Sequence, residues 1–127
     1  MHAPSSFDYA VLRIVPRVER QEFINVGVIV FCLQENFLGT RVHLDFARLQ
    51  SFSPNSDLAE IRRHLEAYPK ICEGLEESGP IGRLTRRERF HWLVAPRSTV
   101  IQVSAVHSGL CRNPASVLQK LFEHLVL

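Results

Sequence analysis

The chain has 127 residues, 46% apolar and 22% charged, with 15 Lys plus Arg against 13 Asp plus Glu and a formal charge of +2. A chain this long buries roughly two-thirds of its unfolded surface, enough for one core without disulfides or a structural metal, and its apolar content excludes a disordered charged tail. We therefore expect one domain over residues 1–127. Residues Met1 to Ser6 carry neither a cationic start nor a following apolar run, unlike a secretory leader. The longest apolar stretch, Val26 to Leu33, is far shorter than the roughly 20 residues of a membrane span. Three widely spaced cysteines, Cys32, Cys72 and Cys111, suit reduced thiols better than a disulfide framework. A cytoplasmic protein with no membrane contact is the expectation.

Phe7 to Val15 and Val26 to Leu33 are rich in branched and aromatic residues and read as strands. Neither alternates cleanly between apolar and polar, so both are expected to be covered on both faces, as central strands or with one face in an interface. Leu38 to Leu44 does alternate, which suits a half-solvated edge strand joined to its predecessor by a hairpin at Glu35-Asn36. Within Ser53 to Asp57 lie two candidate helix caps. Leu58, Ile61, Leu65, Tyr68, Cys72 and Leu75 then recur at helical spacing, with Pro69 expected to kink or split the helix.

Residues 78–82 read as a loop, and Thr85-Arg86-Arg87-Glu88 as a capping box opening a short helix through Trp92. Thr99 to Ser104 reads as a fourth strand. Asn113-Pro114 opens a closing helix with Val117, Leu118, Leu121, Phe122, Leu125 and Val126 on one broad stripe. The fold class is α+β: a mostly antiparallel sheet of four or five strands with helices packed on it and a C-terminal helix closing the core.

Three segments carry a family resemblance: Tyr9 to Pro16 (YAVLRIVP), Arg20 to Phe31 (RQEFINVGVIVF) and Arg89 to Gln102 (RFHWLVAPRSTVIQ). In that order they resemble the bacterial family named for domain of unknown function 3037, over nearly the whole chain. The resemblance implies no activity. It implies an association with proteins of a HipA-like kinase fold, although the glycine-rich loop and catalytic aspartates of a kinase have no counterpart here.

Structural metal sites need closely spaced ligand pairs, and the cysteines are isolated, as are His64, His91, His107 and His124. We expect no metal and no cofactor. Ser98 follows Arg97 with no identifiable base, and Cys32 sits in an apolar strand where a thiol is inert. The polar residues that stand out are Arg20, Glu22, Asn25 and Gly27, at the entry to a buried strand. Their structural explanation is loop satisfaction by Glu22 and Asn25, pairing of Arg20 or Arg13 with Glu22, and Gly27 marking a bulge or close approach. The functional alternative is a pocket that adds Arg13, Arg97 and Ser98. Arg13, mid-strand, needs a carboxylate or an anionic ligand, and Glu22 is the expected partner.

Residues 83–97 hold Arg83, Arg86, Arg87, Arg89 and Arg97 against Glu88 alone, a local +4 that leaves −2 elsewhere. The expected arrangement puts Phe90 and Trp92 in the core and the arginines on a solvated face. No catalytic constellation emerges. The leading expectation is a non-enzymatic interaction or accessory module with a protein partner or a second copy of itself. One alternative is a nucleic-acid-associated module using Arg83, Arg86, Arg87 and Arg89. Another is an enzyme handling a nucleotide or phosphorylated metabolite through Arg13, Glu22, Asn25 and Arg97.

Overall fold

The computed structural model describes residues 3–96 and 100–127. It is α+β, a five-stranded antiparallel sheet with helices on both faces. Strand β1 (Ser5–Ile14) pairs with β2 (Ile24–Cys32), and β2 with β3 (Phe37–Val42) through a tight turn at Asn36, which takes a left-handed φ of 50°. The other edge of β1 carries two short strands in series. Strand β4 (Ile101–Val103) pairs with Leu12 to Ile14, and β5 (His107–Cys111) with Ser5 to Tyr9. Between them the ladder breaks, and the Ser104 hydroxyl accepts the Val11 N–H at 2.8 Å. A buried donor that would otherwise be orphaned is thereby satisfied.

Strand β2 fails to alternate because it carries an extra residue. Leu12 pairs with Gly27 but Arg13 pairs with Asn25, so Val26 has no partner across the ladder. Beyond this bulge the side chains change parity. Ile24 and Val26 face the same core as Ile29 and Phe31, while Val28, Val30 and Cys32 face the opposite one. Gly27 lies at the crossing. A Cβ there would meet the Arg41 carbonyl, Leu12 Cδ1 and Val42 Cγ1, each at 3.0 Å. Both explanations offered for Gly27, a bulge and a close approach, therefore hold.

Three helices cover one face. Helix α1 (Phe46–Phe52) is capped by Asp45, whose carboxylate accepts the Arg48 N–H. Helix α2 (Leu58–Glu73) is capped by Asp57 and ends at Gly74, with φ 71°. Helix α3 (Arg86–Leu93) starts with the expected capping box, Glu88 N to Thr85 Oγ1 at 3.2 Å and Thr85 N to Glu88 Oε1 at 3.1 Å. The hydrogen bond from the Thr85 N–H, with a further one from the Thr85 side chain, holds the Glu88 carboxyl below its ordinary pKa. Helix α4 (Pro114–Leu125), capped by Asn113, lies on the other face against β2 and β3.

Pro69 neither kinks α2 into two helices nor ends it. The apolar stripe on both sides of it, Ile61, Leu65, Tyr68, Ile71 and Cys72, is buried on one sheet face, and that packing outweighs one lost backbone hydrogen bond. Leu75 lies past the cap and is exposed. Helix α1, strand β5 and a 3-10 segment over residues 76–83 were not anticipated. None of the helices among the described residues is long and apolar enough to cross a membrane.

Gly27→Ala is expected to cost about 1–3 kcal/mol by overpacking the bulge. Urea unfolding measures it, and an unchanged midpoint would mean that β2 and β3 can move apart.

Candidate functional site

Helix α2 buries one stripe and turns a neighbouring one towards an open cleft of about 1090 Å³. Along it, Glu60, Arg63, His64, Ala67, Tyr68 and Ile71 recur at three- and four-residue steps, so they share one side of the helix. The opposite wall is the β1–β2 connection, with Pro16, Arg17, Arg20 and Glu22, and the start of β4 at Val100 and Ile101. The α1–α2 link closes one end. Trp92, from α3, stands at the other wall and is 39% exposed. Size, partial apolarity and a few convergent polar groups make it the candidate site among the described residues.

The lining is mixed. Its polar part includes Arg17, Arg20, Arg63 and the link residues Ser53, Asn55 and Ser56, with the Ser56 hydroxyl donating to Ser53 Oγ at 2.8 Å. Its apolar part includes Ala67, Tyr68, Ile71, Trp92, Val100 and Ile101. Three acidic side chains also line it, each already engaged. Glu22 pairs with Arg20 at 2.8 Å, Glu60 lies 3.8 Å from His64, and Asp57 caps the helix. Gln21, with φ 55°, reverses the chain between Arg20 and Glu22 and so lets the two side chains meet.

Of the residues singled out by sequence, Arg20 and Glu22 therefore belong to this cleft. Arg13 and Asn25 do not. They face each other across β1 and β2 on the α4 side of the sheet, where Asn25 Nδ2 donates to the Leu125 carbonyl at 3.1 Å. The expected Arg13–Glu22 pair is absent because Glu22 is taken by Arg20 on the other side. The Arg13 guanidinium instead lies 4.1 Å from the Phe23 ring centroid. Arg13 Nε and Asn25 Oδ1 are buried without a hydrogen-bond partner. Gly27 is packed within the sheet and lines neither cleft wall. Arg97 and Ser98, with Thr99 of the expected fourth strand, lie outside the described residues.

The arginine cluster divides as well. Arg83, Arg86 and Arg87 are exposed, but Arg89 is buried. Its Nη1 donates to the Ile71 carbonyl at 3.3 Å, and a side chain at Gly74 would overlap its guanidinium. Arg89 thus caps the C-terminus of α2, where orphan carbonyls and the helix dipole favour a cation. Like its neighbour Phe90, it is buried. Trp92 is the reverse case, expected in the core but exposed in the cleft.

All three cysteines are free and buried. Burial pushes the Cys72 thiol up to about 12 and raises that of Cys111. Among the described residues no three His, Cys, Asp or Glu side chains converge in a way that could hold a metal ion.

A family model described as a protein of unknown function, DUF3037, matches residues 9–126. The chain belongs to the DUF3037 family. No curated protein and no solved structure matches it. The DUF3037 match runs from the middle of β1 to the end of α4 and so takes in every wall of the cleft.

Two predictions follow from these placements. Arg89→Ala should destabilise the fold by about 1.5–3 kcal/mol through loss of a charged hydrogen bond and buried stem. Arg86→Ala and Arg87→Ala should each stay within about 0.5 kcal/mol of the parent, and equal losses in urea unfolding for all three would remove Arg89 from its capping role. A thiol reagent such as dithionitrobenzoate should label Cys32, Cys72 and Cys111 only on unfolding, so rapid labelling of the native chain would contradict their burial.

Proposed function

We propose that this DUF3037 member is a non-enzymatic accessory module that holds a segment of a protein partner in the cleft along α2. The observation that carries the reading is the shape of the cleft. From Glu60 to Ile71 it follows about 17 Å of helix, enough to lay down about five residues of extended chain. Its lining comes from four separate parts of the chain held together by the sheet, so it is preformed and needs little ordering before binding. Sequence alone motivated an interaction role by the double-sided apolar strands. Both faces of β2 are covered by the chain's own helices, so the case for a partner now rests on the cleft instead.

The nucleic-acid alternative keeps a smaller basic face. With Arg89 buried, Arg86 and Arg87 sit in the first turn of α3, where the helix dipole does not favour cations. The enzyme alternative relied on Arg13, Glu22 and Asn25 acting together, and these lie on opposite faces of the sheet.

A photo-crosslinking residue at Ala67, on the cleft wall, tests the proposal in cells that express the tagged chain. A stoichiometric protein should be captured at Ala67 with nuclease present, and not from a matching probe at Glu123 on α4. Recovery of an uncrosslinked monomer, or crosslinks to nucleic acid only, would defeat the reading.

A further inference from the structure

The sheet ends in β3 on one side and in β4 and β5 on the other, and the two edges differ. Strand β3 is held between α2 and α4 and carries the charged Arg41. Strand β5 packs chiefly on β1, and its Leu110, 73% exposed, is the most exposed large apolar side chain among the described residues. The Val15 N–H donates to the Val100 carbonyl and the Ser104 N–H to the Val11 carbonyl, so the odd-numbered residues of β1 turn their backbone groups towards this edge. Followed along the register, Tyr9, Phe7 and Ser5 exchange hydrogen bonds with His107, Gly109 and Cys111, and the N–H and C=O groups of Ser108 and Leu110 point away from the sheet. Among the described residues those outward groups have no partner.

We infer that this edge pairs, antiparallel, with the same edge of a second copy of the chain about a two-fold axis at Ser108, joining two sheets into one. A strand is the partner whose donors and acceptors match the spacing of the free groups. Composition and register make that strand a copy of β5. Residues 105–111 (AVHSGLC) contain no Lys, Arg, Asp, Glu or Pro, so the usual guards of an edge are missing and the strand meets its own copy without like-charge repulsion. With Ser108 opposite the partner's Ser108, Leu110 of each copy lies opposite the partner's Val106, itself 44% exposed, and the two apolar side chains cover each other. His107 then faces the partner's Gly109, where no side chain opposes its ring. The nearest acid, Asp8, accepts the Ser108 hydroxyl at 2.6 Å and so sits one strand back from the axis. Its carboxylate is three strand spacings from the partner's Asp8, about 14 Å, which is beyond the screening length in physiological salt. Five residues of strand are about 17 Å long, so the shared surface falls well short of the about 800 Å² per copy of a standard interface and the dimer is weak and concentration-dependent.

Sedimentation of the purified full chain from about 10 μM to about 1 mM should show its average mass rising towards twice that of the monomer. Leu110→Lys, which places a charge on the edge, should weaken association about tenfold or more. Ser108→Pro removes an outward N–H that the ladder with β1 does not use, and should weaken association as much. Leu84→Lys, at an exposed leucine before α3, should leave association unchanged. Circular dichroism checks that each variant folds, and Leu110→Lys decides alone if Ser108→Pro does not. In hydrogen exchange the Ser108 and Leu110 amides should be protected at about 1 mM and exchange freely at about 50 μM, while Gly109, whose N–H faces β1, stays protected at both. A chain that remains monomeric at about 1 mM, association that survives the folded edge variants or falls equally with Leu84→Lys, or Ser108 and Leu110 exchange that ignores concentration would overturn the inference. None of these readouts involves the cleft, so the Ala67 crosslinking result stands or falls separately.

Discussion

The unpaired residue at Val26 turns the ladder between β1 and β2 and, with it, the two sides of the sheet. Without the bulge, one side of β2 would carry Ile24, Val26, Val28 and Val30 and the other Asn25, Gly27, Ile29 and Phe31. With it, Ile24, Val26, Ile29 and Phe31 join the core under α1, α2 and α3, while Val28, Val30 and Cys32 join the one under α4. Two cores share one sheet, and each depends on Gly27 leaving room at the point where parity changes. The bulge also sets Asn25 beside the end of α4, where its amide takes the Leu125 carbonyl, so the strand and the closing helix are tied at one point.

The cleft is a by-product of how α2 is held. Its buried stripe seats it on the sheet, Asp57 and Gly74 define its ends, and Arg89 reaches from α3 to its last carbonyls. The adjoining stripe is left facing the β1–β2 connection. That connection stands away from the helix because Pro16 ends the ladder after Val15 and because Gln21 turns back in the left-handed region. An open, mixed-charge channel with one aromatic wall results.

Polar residues were the least reliable guide. Arg20, Glu22, Arg13 and Asn25 fall within thirteen residues of one another, yet the first two line the cleft and the other two lie behind the sheet. Alternation did not separate them, since Arg20 and Glu22 lie in the connection before β2 and only Arg13 and Asn25 sit in the ladder, at the bulge. Likewise Arg89 and Trp92 lie on one short helix with little amphipathic signal, and tertiary contacts with Ile71 and Gly74 decide that the arginine is buried and the tryptophan exposed. The α2 lining, Arg63, His64, Ala67 and Tyr68, was visible as a helix but not as a wall. Nothing local distinguishes a solvated helix face from one that looks across a cleft.

By itself the sequence determined the local elements whose causes are local. Branched residues made β1, β2 and β3, the Asn36 turn joined two of them, the Thr85–Glu88 box opened α3, and Asn113-Pro114 opened α4. It also carried the family and the α+β class. Only the tertiary structure decided the continuity of α2 through Pro69, the pairing of the low-propensity strand β5 with β1, the division of the arginines and the existence of the cleft. The physical reason is common to all four. Each sets a local preference, worth about a kilocalorie per mole or less in most cases and about 3 kcal/mol for Pro69, against tertiary packing with residues distant in the chain, which is larger and has no local signature.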